Sequence, residues 1–249
     1  RLALEHDPWL SNQFLNPSYL YLNRHLFPYK YCSNRKTVMS DHTQREITYS
    51  IANGEVRIRA LCTPDEIRAL TFDEQFGSHA HYRSLYTKRD SLEEKATQPD
   101  ANVVLAITGK DHIVGFGVLS RPRPEDRWSN LDPPIMMEVK ALEVARNWRS
   151  TGIGTRIVEM LMAHPQIENL IAYMVGYSWT WDLDGTGKSA QQYRQMMIKL
   201  FEPYSFQEME TNEPNICLKP ENIFMSRVGT NVSAEIQKKY KWLRFGIDI

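Results

Sequence analysis

From Glu55 onward, apolar and polar positions fall into alternating strand and helix periods. Val56, Ile58 and Ala60 alternate with Arg57 and Arg59, which predicts a strand with one face in water. Thr63-Pro64-Asp65-Glu66 follows as a helix start, with Thr as N-cap and Pro at the first helical position. The apolar runs Asn102 to Thr108 and His112 to Leu119 flank Gly109-Lys110-Asp111 and predict a hairpin. Arg121 to Pro134 holds four prolines and predicts a loop. Met136 to Val144 reads as the next strand. Beyond it, Ile153, Ile157, Met160 and Leu161 fall at i, i+4, i+7 and i+8, the apolar stripe of a helix reaching about Ala163. A buried strand over Leu170 to Val175, a helix over Ser189 to Phe201 ended by Pro203, a strand over Asn222 to Val228 and a helix over Ser233 to Phe245 complete the pattern. This order predicts an α/β fold with a mixed sheet.

The first 46 residues carry Trp9, Phe14, Tyr19, Tyr21, Phe27, Tyr29 and Tyr31 with no clear period. That is too apolar for a solvated tail. Residues 1–46 therefore read as an extension and 47–249 as the main domain. Thirty basic residues balance thirty acidic ones, so no global field draws the chain to nucleic acid or to an anionic membrane. No apolar run approaches the roughly 18 residues of a membrane span. Cys32, Cys62 and Cys217 form no CxxC pair, so neither a disulfide framework nor a zinc site is implied. His79 and His81 lack a nearby ligand partner and predict no metal. The sequon Asn231-Val232-Ser233 is too short to imply secretion, and a reducing cytoplasm is the expected compartment.

Arg149-Ser150-Thr151-Gly152-Ile153-Gly154-Thr155 lies between a strand and a helix. A strand turning directly into a helix leaves consecutive N–H groups unpaired, and glycines remove side chains that would keep a bulky anion away. The helix dipole favours negative charge at the same point, and Arg146, Arg149 and Arg156 add to it. A pyrophosphate fits; the plainer alternative is a tight connection and nothing more. Gly187-Lys188-Ser189 ends like a P-loop, but the first glycine of that motif would fall at Asp182.

Glu138 stands mid-strand among apolar residues, where an ionised side chain needs a site, water or a partner. It reads as a general base or as half of a Glu138–Lys140 pair. By simple strand alternation Glu143 points to the opposite face.

Val144 followed by Arg149-x-x-Gly152-x-Gly154 and an apolar helix resembles motif A of the GCN5-related N-acetyltransferases (GNAT). The resemblance implies a GCN5-like acyl-CoA N-acyltransferase fold, a mixed, mostly antiparallel sheet with flanking helices, and acetyl-CoA as cosubstrate. It implies that Leu142 and Val144 meet the pantetheine arm and that Arg149 to Thr155 hold the pyrophosphate. It also places Glu138, eleven residues before Arg149, where several members carry a catalytic glutamate. The tyrosine that often protonates the leaving thiolate aligns with Phe201, and neither Tyr193 nor Tyr204 has a spacing that replaces it.

The stretch Ser178-Trp179-Thr180-Trp181-Asp182-Leu183-Asp184-Gly185-Thr186-Gly187, with Tyr193-Arg194-Gln195-Met196-Met197, Arg127-Trp128-Ser129 and Leu243-Arg244-Phe245, resembles the acetoin-utilisation protein A type of acetyltransferase over about residues 48 to 246. That resemblance implies acetylation of the catalytic lysine of AMP-forming acetyl-CoA synthetase. Trp179 and Trp181 are candidate ring faces for a lysine stem, and Asp182 and Asp184 candidate attractors for its charge. The alternative is that the tryptophans are core and the acids cap the next helix. Two rival functions stay open, a small-molecule amine acetyltransferase and an acyl-CoA-binding module that regulates by docking.

Overall fold

The computed structural model of the chain describes residues 45–52 and 54–247. The proposed extension therefore lies, up to residue 44, outside the described residues. The described residues open with the hairpin β1 (Glu46–Ile51) and β2 (Gly54–Arg59), then α1 (Pro64–Arg68). Short strands β3 (Thr71–Phe72), β4 (Ser78–His79) and β5 (Tyr82–Arg83) lead to α2 (Arg89–Ala96). The hairpin β6 (Asn102–Thr108) and β7 (His112–Ser120) precedes β8 (Met136–Val144), α3 (Ile153–Met162) and β9 (Ile171–Gly176). The remainder is α4 (Leu183–Thr186), α5 (Ala190–Phe201), β10 (Gln207–Glu208), α6 (Pro214–Cys217), β11 (Ile223–Val228) and α7 (Ala234–Arg244).

The main sheet runs β1-β2-β6-β7-β8-β9-β11-β10, with β3 beside β7. Only the β3–β7 and β8–β9 pairs among the described strands are parallel, so the sheet is mixed and mostly antiparallel, as the sequence predicts. The strand and helix predictions from Val56 to Phe245 recur within a residue or two. Thr63 and Glu66 form a reciprocal capping box at α1, which satisfies two orphan backbone donors. The proline-rich loop contains one 3₁₀ turn, Arg127–Asn130.

Both faces of the sheet are covered. On one, Ile153, Ile157, Met160 and Leu161 of α3 pack with Phe201 of α5 against Val104, Ala106, Leu119, Met137 and Val139. The apolar stripe is thus the buried face of α3. A Cβ on Gly117 would stand 2.5 Å from the Ile157 Cγ2, so β7 admits the helix this closely only as glycine. On the other face, Ile67 of α1 and Leu92 of α2 cover Leu105, Ile107, Phe116, Val118 and Ala141. Farther along that face Tyr240 of α7 packs near Tyr173, Phe224 and Trp128. No helix among the described residues is long and apolar enough to cross a membrane.

Strand β1, helix α2 and the short elements β3, β4, β5, α4, β10 and α6 lie outside the sequence prediction. Strand β1 alternates Ile47, Tyr49 and Ile51 with polar residues, but falls where the extension ends. Helix α2 buries only Leu92, so its sequence carries almost no helical apolar period.

Candidate active site

Strands β8 and β9 pair only at Met136, Met137 and Glu138 with Ile171, Ala172 and Tyr173. Beyond that point each keeps its other neighbour: β8 stays on β7 as far as Val144, and β9 stays on β11 as far as Gly176. The two strands therefore part, leaving a gap lined on both sides by backbone groups that no shared ladder satisfies. Leu142 and Val144 stand on the β8 lip of this gap, partly buried against the α3 face.

At the end of β8 the chain makes the turn that leads into α3. Ser150 has φ 62° and Gly152 φ 86°, and Gly152 is the N-cap of α3. Among the described residues, the N–H groups of Ser150 to Thr155 donate to no protein acceptor, while the carbonyl of Gly152 already accepts from Arg156 N. A Cβ built on Gly154 would meet nothing nearer than Val144 Cγ2 at 4.0 Å, so open space faces these donors. Unpaired donors at a helix start beside open space are a set that a bound anion can use. Arg146 and Arg149 flank the turn, but their guanidinium groups are held by Asp182; Arg156 pairs with Glu159.

A β-bulge corrects the alternation expected for β8. Val118 pairs with Ala141 and Leu119 with Val139, which leaves Lys140 as an extra residue. Met137 and Val139 face α3, whereas after the bulge Ala141 faces α1 and α2. Glu143 thus shares a face with Glu138 instead of opposing it. Tyr86 reports both: burial pushes its hydroxyl up to about 12, and the charges of Glu138, Glu94 and Glu143 add to the rise.

Glu138 occupies the last paired position before the strands part, with its side chain 22% exposed and ion-paired to Lys140. The Glu138–Lys140 pair offered as one reading of the sequence is thus present in the structure. Tyr173, opposite Glu138 on β9, is fully buried, and its hydroxyl pKa rises through burial and then through the Glu138 charge.

Glu143 is buried, and its Oε1 accepts from Leu85 N at 2.5 Å, fastening the segment after β5 to β8. Burial raises the Glu143 pKa, against the opposing pull of Leu85 N–H, the Tyr82 and Ser84 hydroxyls and Arg149. A carboxyl whose pKa is raised by folding contributes stability that is complete below the ordinary value near 4.3 and is lost as pH rises through the raised one. Glu143→Gln keeps an acceptor for Leu85 N and has no charge to bury. Its melting temperature is expected to exceed that of the parent at about pH 7 to 8 and to match it at about pH 4. Identical melting at both values would show that the buried charge costs nothing.

The four aromatic and acidic residues expected to meet an acceptor separate. Trp179 is 53% exposed, stacks on Tyr177 at 4.7 Å and carries Lys219 Nζ 4.9 Å above its ring. With His79, His81, Tyr82, Leu85 and Thr180 it lines a cavity of about 590 Å³. Trp181 is instead buried in the α3-face core, stacked on Tyr193 at 5.0 Å. Asp182 is 1% exposed, caps α4 through Gly185 N and pairs with Arg146 and Arg149. It does not face the cavity, and neither does Trp181. Both follow the alternative of core and cap. Asp184 lies exposed in the first turn of α4.

Phe201, at the position of the family's tyrosine, is fully buried. Tyr193 lies nearer the site, its pKa raised by burial against the lowering effect of Arg149. Tyr204 donates its hydroxyl to Thr155 O at 3.2 Å. Tyr82, Leu85 and Tyr177 carry no signal in the sequence. They sit in short, mostly irregular segments whose residues reach the site only through tertiary packing.

The Acetyltransferase (GNAT) family model matches residues 65–175. The chain is 30% identical over 192 residues to the acetoin utilization protein AcuA of Bacillus licheniformis, which spans 77% of this chain and 90% of that protein. It is 29% identical over 203 residues to AcuA of Bacillus subtilis, spanning 82% and 95%. The crystal structure of the acetoin utilization protein from Exiguobacterium sibiricum superposes with a TM-score of 0.74 at 27% identity, over 81% of this chain and 93% of that one. Fold, motif and relatives agree on an acetyl-CoA-dependent N-acetyltransferase. The chain belongs to the GNAT acetyltransferase family, in the group of the acetoin utilization AcuA proteins.

Proposed function

We propose that the protein acetylates a lysine side chain of another protein, that the acceptor is AMP-forming acetyl-CoA synthetase, and that acetylation switches the synthetase off. The observation that carries the lysine reading is the place of Glu138: a carboxylate at the point where β8 and β9 part, on the sheet face that also bears Glu143, Tyr86 and Tyr173. The identity of the acceptor rests on the resemblance to the acetoin-utilisation type.

In this reading acetyl-CoA lies in the gap, with its pantetheine against the backbone near Leu142 and Val144. The N–H groups from Ser150 to Thr155 bind its diphosphate, and Arg149 shapes the turn that presents them. The coenzyme supplies an acetyl thioester. A lysine ammonium must first lose a proton, and neutralising it at pH 7 costs about 4.6 kcal/mol. Glu138 takes that proton, directly or through one water. The free amine then attacks the thioester carbonyl, the C–S bond breaks, and coenzyme A leaves as a thiolate that gains, through solvent, the proton the nitrogen loses. Half-exposed Trp179, stacked on Tyr177, would offer the acceptor lysine the ring face that Lys219 covers in the free protein.

The test is to incubate the protein with acetyl-CoA and purified acetyl-CoA synthetase, then measure acetyl mass shift and residual synthetase activity. Modified, inactive synthetase is expected. Unmodified synthetase that co-elutes with the protein would favour regulation by docking, and consumption of free amines alone would favour a small-molecule enzyme.

A further inference from the structure

The motif Trp181-Asp182-Leu183-Asp184-Gly185 has no part in the transfer as described, yet its carboxylate is among the most constrained in the protein. Asp182 Oδ1 accepts from Arg146 Nη2 at 2.6 Å and from Gly185 N at 3.0 Å. Its Oδ2 accepts from Arg146 Nε at 2.8 Å and from Arg149 Nη1 at 2.7 Å. Arg149 also donates from Nε to Val144 O at 2.9 Å, so one guanidinium spans from the last residue of β8 to Asp182. Immediately after Arg149 come Ser150 and Gly152, both in the left-handed region. Burial alone would raise the Asp182 pKa, but the two guanidinium groups and Gly185 N–H outweigh it and hold the carboxyl at about 2. Trp181, buried against Tyr193, fixes the carboxylate to the core.

The glycine three residues on belongs to the same device. A Cβ on Gly185 would stand 2.2 Å from Asp182 Oδ2 and 2.6 Å from Arg146 Nε, so the ion pair closes only over a residue without a side chain. This accounts for the Asp-x-x-Gly spacing.

We propose that Asp182 is a positioning residue for the coenzyme: by clamping Arg146 and Arg149 from the core side, it holds the turn from Arg149 to Gly152 in the shape that presents the N–H groups of Ser150 to Thr155 to the diphosphate. The inference rests on the reading that this turn binds the diphosphate.

Two variants test it, because they part geometry from charge. Asp182→Asn keeps a cap for α4 but loses the ion pair. Gly185→Ala displaces the carboxylate without altering any charge. Both are expected to weaken coenzyme A binding about 10-fold, the order of one charge-assisted hydrogen bond. Pantetheine, which has no diphosphate, should bind both variants as it binds the parent, and kcat at saturating acetyl-CoA should hold within about twofold, the change falling on KM. If Asp182 acted only as a charge, removing it would tighten binding of the anion and Gly185→Ala would change nothing. That pattern, or unchanged affinity in both, overturns the proposal. Should Asp182→Asn fail to fold, Gly185→Ala decides alone. Gly154→Val separates the two readings, since it touches neither Asp182 nor the arginines. If it too leaves coenzyme A affinity intact, the turn is not the diphosphate site; if only it weakens binding, the clamp alone fails.

Discussion

Replacing Glu138 with Gln is expected to lower kcat/KM for a lysine acceptor by about 10²–10³-fold near pH 7, the usual share of a positioned base. Gln has the shape of Glu but accepts no proton at these pH values. Glu138 sits where β8 and β9 separate, so the change should leave coenzyme A affinity as it is and fall on turnover. Without a base, the reaction depends on the fraction of acceptor already neutral, and the rate should keep climbing toward the lysine pKa near 10.4. A steady-state series from pH 6 to 9 checks this. Full turnover across that range would remove Glu138 from the mechanism. Lys140 is the second group to watch, since it is the ion-pair partner of Glu138 in the free protein.

Gly154→Val is expected to raise the KM for acetyl-CoA by about 10–100-fold, equivalent to one or two charge-assisted hydrogen bonds, while the fold survives. The side chain would enter open space, its Cβ no nearer than 4.0 Å to Val144, so little in the protein resists it. Position 154 also lies in the first turn of α3, where a valine in place of glycine costs no helix stability. What the branched side chain obstructs is the approach of an anion to the N–H groups around it. Thermal melting with calorimetric titration of coenzyme A distinguishes the outcomes. Unchanged affinity in a stable protein would place the diphosphate elsewhere, and a lost fold would mean that the space is needed by the chain itself.

Much of the fold and the outline of the site is legible in consecutive residues. The apolar stripe of α3, the alternation in β2 and the capping residues of α1 and α5 each encode a local conformation, because helix and strand periods are set by the backbone. The glycines at 152 and 154 mark the turn for the same reason: φ at Gly152 is one that other residues rarely adopt. Family motifs add what periodicity lacks, namely that a strand, turn and helix in this order hold a coenzyme.

The acceptor side is another matter. Trp179 and Trp181 look alike in sequence, but Ser178–Thr180 forms a 3₁₀ turn with extended Trp181 just beyond it, so the two rings do not share a face as residues two apart do along a strand. One tryptophan is left half in water and the other joins the core. Asp182 reads as a free charge until the fold brings Arg146 and Arg149 to it, from 36 and 33 residues earlier in the chain. The face of Glu143 depends on a single extra residue in β8, visible only in its register with β7.

The sequence alone determined the longer strands and helices from β2 on, their order, the glycine turn before α3 and the family, since these depend on neighbours along the chain. Tertiary structure alone decided which acids share a face, which charges are already spent on each other and which tryptophan meets solvent. Those outcomes depend on strand register and on contacts between distant segments, where a shift of one residue reverses the direction of a side chain.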